Sequence, residues 1–545
     1  MSPLQRVRLE QRGFTGMTET LSGDVDEEHR AFYLENMFPF DPSRPSELIP
    51  RRGLLHFPTT GGVIAAGQGQ LVYQLTKVSG TTYTVAVIAG QIYTYNATAD
   101  TWSVVVTTAN FTSKSITRTT TGRWYAATYN DTLVVNDGTN QPWTWDGTTG
   151  AGGLTKLTNA PSVVYGVPAV YYGKLFFIKS DRATLAWSEE NSANVGYEAG
   201  GYNNTWTLSQ TYSSPLTALI GTNLGLYYFR EHSIGVIVGS VTPDFQTTGV
   251  HDAVATEMGC RAPEGITLYG NVLYFFDDVG RPMAVQVGGG LIELWKDMER
   301  RVMPKIQATY DPYASYEDTS GGHTNPGTTS FAYMTVMYAA QWNAMVFFYS
   351  ATGLFGAVYS VKTNRLMGYL TSPTDTATAL GRVGVFISST GKVVDTIMVL
   401  DGSGNAAIFR AGSYYSAGNY YRDDLTDNTR QYSTRFIGRR MVHDPVVGLH
   451  FDRLSLEVRV NGTGAGFAVQ LATSERWNTD DLSTAQTYTT ASGDTRQPRR
   501  ITVGLNQYGR WAAPIVNVTS ASTIEARVFG YSLDAFVDAD DAALV

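Results

Sequence analysis

The chain is expected to be all-β: a β-propeller of about seven blades, with six to eight inside the count, followed by a C-terminal β-sandwich. Three observations predict this. The 33 Tyr and 55 Gly, with frequent Thr and Val, favour pleated, half-buried strands joined by tight turns. One phrase recurs every 40 to 50 residues or so: a short apolar strand, a Gly or Asn turn, an aromatic-rich strand and a polar loop. Each phrase holds a hairpin whose second strand alternates faces with period two. A single hydrophobic core cannot serve 545 residues, so two bodies, or one ring with appendages, are required.

Residues 1–56 read as an N-terminal arm leading into the propeller. Arg6, Arg8 and Arg12 lie there without an apolar core segment, so no secretory signal is expected. The propeller is placed at 57–415. Its phrases run Val85 to Val106, Trp124 to Trp145, Val167 to Trp187, Leu216 to Val238, Gly265 to Val287, Met334 to Leu370, and Val383 to Arg410. Four strands per phrase, repeated around a circle, hide sheet edges as a propeller does. A solenoid would show shorter, stricter repeats, and these share shape more than letters. One stretch breaks the pattern. Leu291, Leu294, Trp295, Met298 and Val302 fall at helical spacing, with Glu293, Lys296, Glu299 and Arg300 opposite, which predicts a short helix on the rim.

A long loop follows at 304–330, carrying Tyr310, Tyr313 and Tyr316 with little strand content. A polar linker at 416–434 leads to a β-sandwich at 435–535, with strands at Phe451 to Val460, Gly466 to Thr473, Arg500 to Gly504 and Ile515 to Phe529. An acidic tail at 536–545 ends the chain. No lysine occurs after Lys392, so the positive charge of the last module is all arginine, which suits planar contacts between proteins.

Chemistry is sparse. The acid pairs Glu189 and Glu190, Asp277 and Asp278, Asp423 and Asp424, and Asp480 and Asp481 are adjacent. Neighbours on a strand point to opposite faces, so such pairs do not converge. The seven histidines show no i, i+4 pair, and Cys260 stands alone, so neither a metal centre nor a disulfide framework is expected. Met258, Gly259 and Ala262 around Cys260 suggest a packed strand end and a buried structural thiol. Asp100-Thr101-Trp102 is only the tail of the Ser-x-Asp-x-Gly-x-Thr-Trp turn of sialic-acid-cleaving propellers, and Trp145-Asp146 does not recur. Gly288, Gly289 and Gly290 lack the context of a phosphate-binding loop. Neither catalytic residues nor a cofactor are therefore expected. No apolar run approaches the length of a membrane span. A net charge of −8 disfavours a grip on nucleic acid through its phosphates.

Several segments, in order, resemble the tail nozzle (tail hub) proteins of short-tailed bacteriophages. The first is Tyr33-Leu34-Glu35-Asn36-Met37, followed by Pro50-Arg51-Arg52-Gly53 at the door of the first blade. Next come Asn136 to Gly147 and the block Phe229-Arg230-Glu231-His232-Ser233-Ile234. The last are Met258-Gly259-Cys260-Arg261-Ala262-Pro263 and Leu273-Tyr274-Phe275-Phe276-Asp277-Asp278-Val279-Gly280. Asn36, Arg52, Gly53, Gly259, Cys260, Asp278 and Gly280 mark this pattern. The resemblance implies a virion protein of the phage tail, made in the host cytoplasm. It also implies a ring, expected to be a hexamer, below the portal and adaptor and near tail fibres or tip, enclosing the DNA conduit without binding DNA specifically. A wall of hydroxyls and carboxylates would let a polyanion slide. Tyr310, Tyr313 and Tyr316 are the candidate gate, or else an outward docking loop. Two rivals remain: a glycan-binding or depolymerising tail propeller for host attachment, and a non-viral propeller serving as an interaction hub.

Overall fold

A computed structural model of the chain describes residues 6–17, 29–31, 33–50, 54–56, 64–96, 98–99, 101–208, 214–240 and 250–298, together with strands and short connections between 334 and 537. Seven antiparallel sheets of the repeating kind follow one another. Blade one is Gly69–Thr76, Thr82–Ile88, Gln91–Asn96 and Thr101–Val106; blade two is Tyr125–Tyr129, Thr132–Asn136, Trp143–Trp145 and Leu154–Lys156. Blade three is built on Val164–Tyr171, Lys174–Lys179 and Thr184–Glu189, with both Ser192–Gly196 and Thr205–Thr207 pairing to the last of these. Blade four is Leu216–Gly221, Leu226–Arg230, Ile234–Val238 and Val250–Ala255, and blade five is Ile266–Tyr269, Val272–Phe276, Pro282–Gln286 and Leu291–Glu293. Blade six is Thr335–Ala339, Ala344–Ala351, Gly353–Ser360 and Leu366–Thr371.

Blade seven draws on both ends of the propeller. Gly384–Ile387 and Thr378–Ala379 pair with Val393–Leu400, which pairs with Asn405–Ala411. Its outer edge is covered by Leu54–His56, antiparallel to Phe409, Arg410 and Ala411, and by Ala65–Ala66. First strands of neighbouring blades lie side by side from blade one to four and from five to seven, Phe229 on Phe275 joins blades four and five, and the first strands of blade seven return to Gly69–Thr76, so the circle is closed. Aromatic side chains fill the wedges between blades. Phe111, Trp124 and Trp143 meet edge to face at 5.0–6.4 Å between blades one and two. Phe229 packs on Phe275 across blades four and five, and Phe276 on Phe347 across blades five and six. Each such ring, removed from water, contributes roughly 1.5–3 kcal/mol.

Most of the remaining strands form one further antiparallel sheet and an extension of the blade-six sheet, and buried side chains of both share one apolar cluster. One sheet orders Arg499–Gly509, Leu449–Asn461 and Glu525–Val537, and the other has Thr434–Ile437, Trp511–Thr519 and Gly466–Ser474 at its centre. Leu454, Leu456 and Leu533 meet Phe467, Val469 and Val516 in that cluster. The segment expected as an arm leading into the propeller is built into these sheets. Arg6–Arg12 and Leu48–Pro50 pair with Glu525–Val537, while Tyr33–Glu35 bridges Thr434–Ile437 to Leu366–Thr371 of blade six. Open edges gain hydrogen bonds this way, which no local sequence signal announces. Among the described residues of the expected rim helix no α-helix forms. Leu291–Glu293 completes blade five as its outer strand, and only Trp295–Met298 coils, as a 3₁₀ turn. Pairing to Pro282–Gln286 overrides the helical spacing.

First strands share one direction, so the turns between first and second strands gather on one face of the ring. Turns between second and third strands gather on the other, with the connections between blades. On the first face the two-residue turns require φ > 0, and Asn130 and Asp131 of blade two supply it at the usual residue types. Blade three places Tyr172 there at φ 49, with its ring exposed. Tyr172→Asn is expected to stabilise the protein by about 1 kcal/mol, read as a higher denaturation midpoint, because the left-handed conformation disfavours a bulky side chain.

Candidate functional site

The polar features of the molecule concentrate on the second face and on the axis. Arg123 stands just before the first strand of blade two and is buried. Its Nη1 lies 2.9 Å from Glu264 Oε2, which precedes the first strand of blade five, with side-chain exposures of 5% and 2%. Arg123 Nη2 also donates to Thr335 Oγ1 of blade six at 2.9 Å. Blades two and five are not neighbours, so this guanidinium crosses the centre of the ring. The ion pair spans the axis of the propeller at this end.

Around the same face, turns are stapled from blade to blade. Asp137, in the second turn of blade two, accepts from Thr119 N–H at 2.7 Å and from Thr139 and Asn140 N–H at 3.0 and 2.8 Å. Burial pushes its carboxyl up, but hydrogen bonds from the Asn140 side chain and these backbone groups outweigh that and hold it below the usual aspartate range. Arg182 of blade three bonds Glu231 of blade four at 2.9 Å, donates to Leu216 O at 3.0 Å and lies 4.4 Å over the Tyr165 ring. His232 Nδ1 and Asp278 Oδ2 join blades four and five at 2.7 Å. A folded-state pKa below the ordinary value means that Asp137 contributes stability that is complete above that value and lost as pH falls through the folded one. Asp137→Asn is therefore expected to lower the urea midpoint near neutrality and to lose this deficit in acid, measured by unfolding curves at stepped pH.

The motif positions fall on joints of this framework. Gly259 and Cys260 lie where the chain passes from blade four to blade five. A Cβ on Gly259 would collide with the Arg230 carbonyl, and Cys260 N–H donates to that same carbonyl at 2.8 Å. The Cys260 thiol is fully buried, donates to Ala262 O at 3.3 Å and is pushed well above the usual cysteine range by burial, which makes it a packing group and no nucleophile. Asp277 and Asp278 are adjacent and diverge. Asp278 reaches His232, whereas the fully buried Asp277 takes Arg281 Nε at 2.5 Å and Val279 N–H at 3.0 Å. Burial pushes the Asp277 carboxyl up, against the pull of Arg281. Gly280 completes that turn at φ 88, and Arg281 stacks 4.9 Å over Trp295.

Asn36 is buried at φ 54, and its N–H donates to Tyr369 O at 2.8 Å, tying the N-terminal segment to blade six. Arg52, Gly53, Tyr310, Tyr313 and Tyr316 lie outside the described residues. Arg123 and Glu264 escaped the sequence reading because each is a single charge in a polar connection, and only ring closure brings them together. Among the described residues, no cluster of three or more His, Cys, Asp or Glu side chains could hold a metal ion. Among the described residues no helix is long and apolar enough to cross a membrane.

No protein-family model matches the chain, and no curated protein matches it. Solved structures similar to it include that of U3-55K, at TM-score 0.40 and 12% identity over 64% of this chain and 97% of that one. The crystal structure of the RRP9 WD40 repeats gives TM-score 0.41 and 11% identity over 67% and 99% of the two chains. The crystal structure of the Mitotic Checkpoint Complex gives 0.37 and 12%, over 67% and 91%.

Proposed function

We propose that the chain is a structural protein of a bacteriophage tail, assembled with copies of itself as a ring of the nozzle or hub kind. In this reading the ring encloses the DNA conduit, retains the packaged genome and passes it on ejection, beneath a portal and adaptor and beside fibres or a tip. The observation that carries the reading is that motif positions within the described residues serve as joints: Asn36 fastens blade six, and Gly259, Cys260 and Asp278 tie blade four to blade five, while Gly280 shapes the turn that holds Asp278. Residues chosen for stiffness suit a part whose work is shape. The Arg123 and Glu264 pair adds a geometric condition. A propeller stoppered at its own centre cannot thread DNA through itself, so the conduit would have to be enclosed between copies. A net charge of −8 suits a wall past which phosphates slide.

The test is the mass of the purified chain in solution together with negative-stain images. Rings of about six copies with an open centre are the expected result. Single chains that bind or cut polysaccharide would overturn the reading in favour of a host-attachment propeller.

A further inference from the structure

We infer that two copies of this chain pair through the outer edge of the N-terminal strand Arg6–Arg12, joining their sheets across a two-fold axis. The strand borders Glu525–Val537 in strict antiparallel register, Arg6 opposite Phe536 through Arg12 opposite Gly530. The bond from Gly13 N–H to Phe529 O sets the phase. Backbone groups of Val7, Leu9 and Gln11 therefore point to Glu525–Val537, and those of Arg6, Arg8, Glu10 and Arg12 point away from it. Among the described residues no strand pairs with that outer edge. Seven residues of extended backbone with one open side form a template for another strand.

Charge selects the occupant. Arg6, Arg8, Glu10 and Arg12 share the exposed face of the strand. Charged side chains ordinarily blunt an edge, but here Glu10 sits among arginines, 3.2 Å from Arg12 and 3.9 Å from Arg8 of its own strand, so opposite charges are in place for a second copy. For outward backbone groups to meet each other, even-numbered residues must lie opposite even-numbered ones. Antiparallel self-pairing about Leu9 satisfies this over all seven residues. It sets Arg8 against Glu10 of the second copy twice, and half-buried Leu9 against its own equivalent on the inner face. The end pairs are Arg6 against Arg12, and Arg6 already holds Asp534 at 2.9 Å. A register centred on Arg8 opposes Arg8 to itself, and one centred on Glu10 opposes Glu10 to itself and Arg8 to Arg12. The self-complementary order points to a second copy of this chain. Such a contact closes at two copies and is separate from any ring.

The full-length chain supplies the test, by mass in solution across a concentration series. Two-fold pairing is expected for the parent, read as a concentration-dependent doubling of the mass of the single chain or of the ring. Arg8→Glu and Glu10→Arg should each weaken it at least tenfold, and the Arg8→Glu, Glu10→Arg double variant should restore it. Residues directly opposite at Leu9 would place their Cα atoms about 4.5 Å apart, inside disulfide range. Cys260, the single cysteine, is buried, so a Leu9→Cys chain should form a linked dimer on mild oxidation, and a Val7→Cys chain should not. Single chains throughout, or a dimer indifferent to the charge changes and unlinked through Leu9→Cys, would overturn the pairing. A larger ring insensitive to all of these variants would likewise overturn it while leaving the ring reading standing. Were Leu9→Cys not to fold, the exposed charge series alone would decide.

Discussion

Glu264→Ala is expected to destabilise the protein by about 3–5 kcal/mol, because it leaves the Arg123 guanidinium buried at the centre of the ring without its counter-ion. The test is the denaturant midpoint of the variant against the parent. Arg123→Met combined with Glu264→Leu should recover most of the loss, since neither charge then lies unpaired in the interior. The single and double variants together separate an axial stopper held by electrostatics from one held by packing. Equal losses in both would show that side-chain volume alone matters there.

Gly259→Ala should cost about 3 kcal/mol, since the new methyl would run into the Arg230 carbonyl and the backbone of Glu231 and His232, none of which can rotate away. The damage should be local before it is global. Cys260 is the next residue and the single thiol, so its labelling rate by a thiol reagent reports directly on the joint between blades four and five. A faster rate in the variant under native conditions is the expected result, and an unchanged rate with an unchanged midpoint would show that the joint has room.

The repeat was legible because second strands such as Lys174–Lys179, Leu226–Arg230 and Val272–Phe276 are buried almost throughout and read as aromatic or aliphatic runs. All seven phrases fall on the seven sheets. Outer strands were not legible. Leu154–Lys156, Thr205–Thr207 and Leu291–Glu293 are three residues long and partly solvated, so alternation has no length in which to show. Leu291–Glu293 was misread as helix for that reason. The interleaving of the first fifty residues with the last hundred also left no trace, since strand partners far apart in sequence are chosen by geometry. At the joints, Gly259 was legible as part of a packed strand end beside Cys260, but the pairing of His232 with Asp278 needed two blades to be side by side.

Blade seven is finished by Leu54–His56, and Arg6–Arg12 pairs with the final strand. During synthesis, then, Arg6–Arg12 waits for a partner strand more than 500 residues downstream. At about 5–20 residues per second this delay is roughly half a minute to two minutes, during which the growing polypeptide exposes unpaired strands. Early blades can pair locally, whereas closure needs residues to about 411 and the second pair of sheets needs residues to about 537. The finished fold is knotted to its own beginning, and nascent chains of this protein should lean on chaperones.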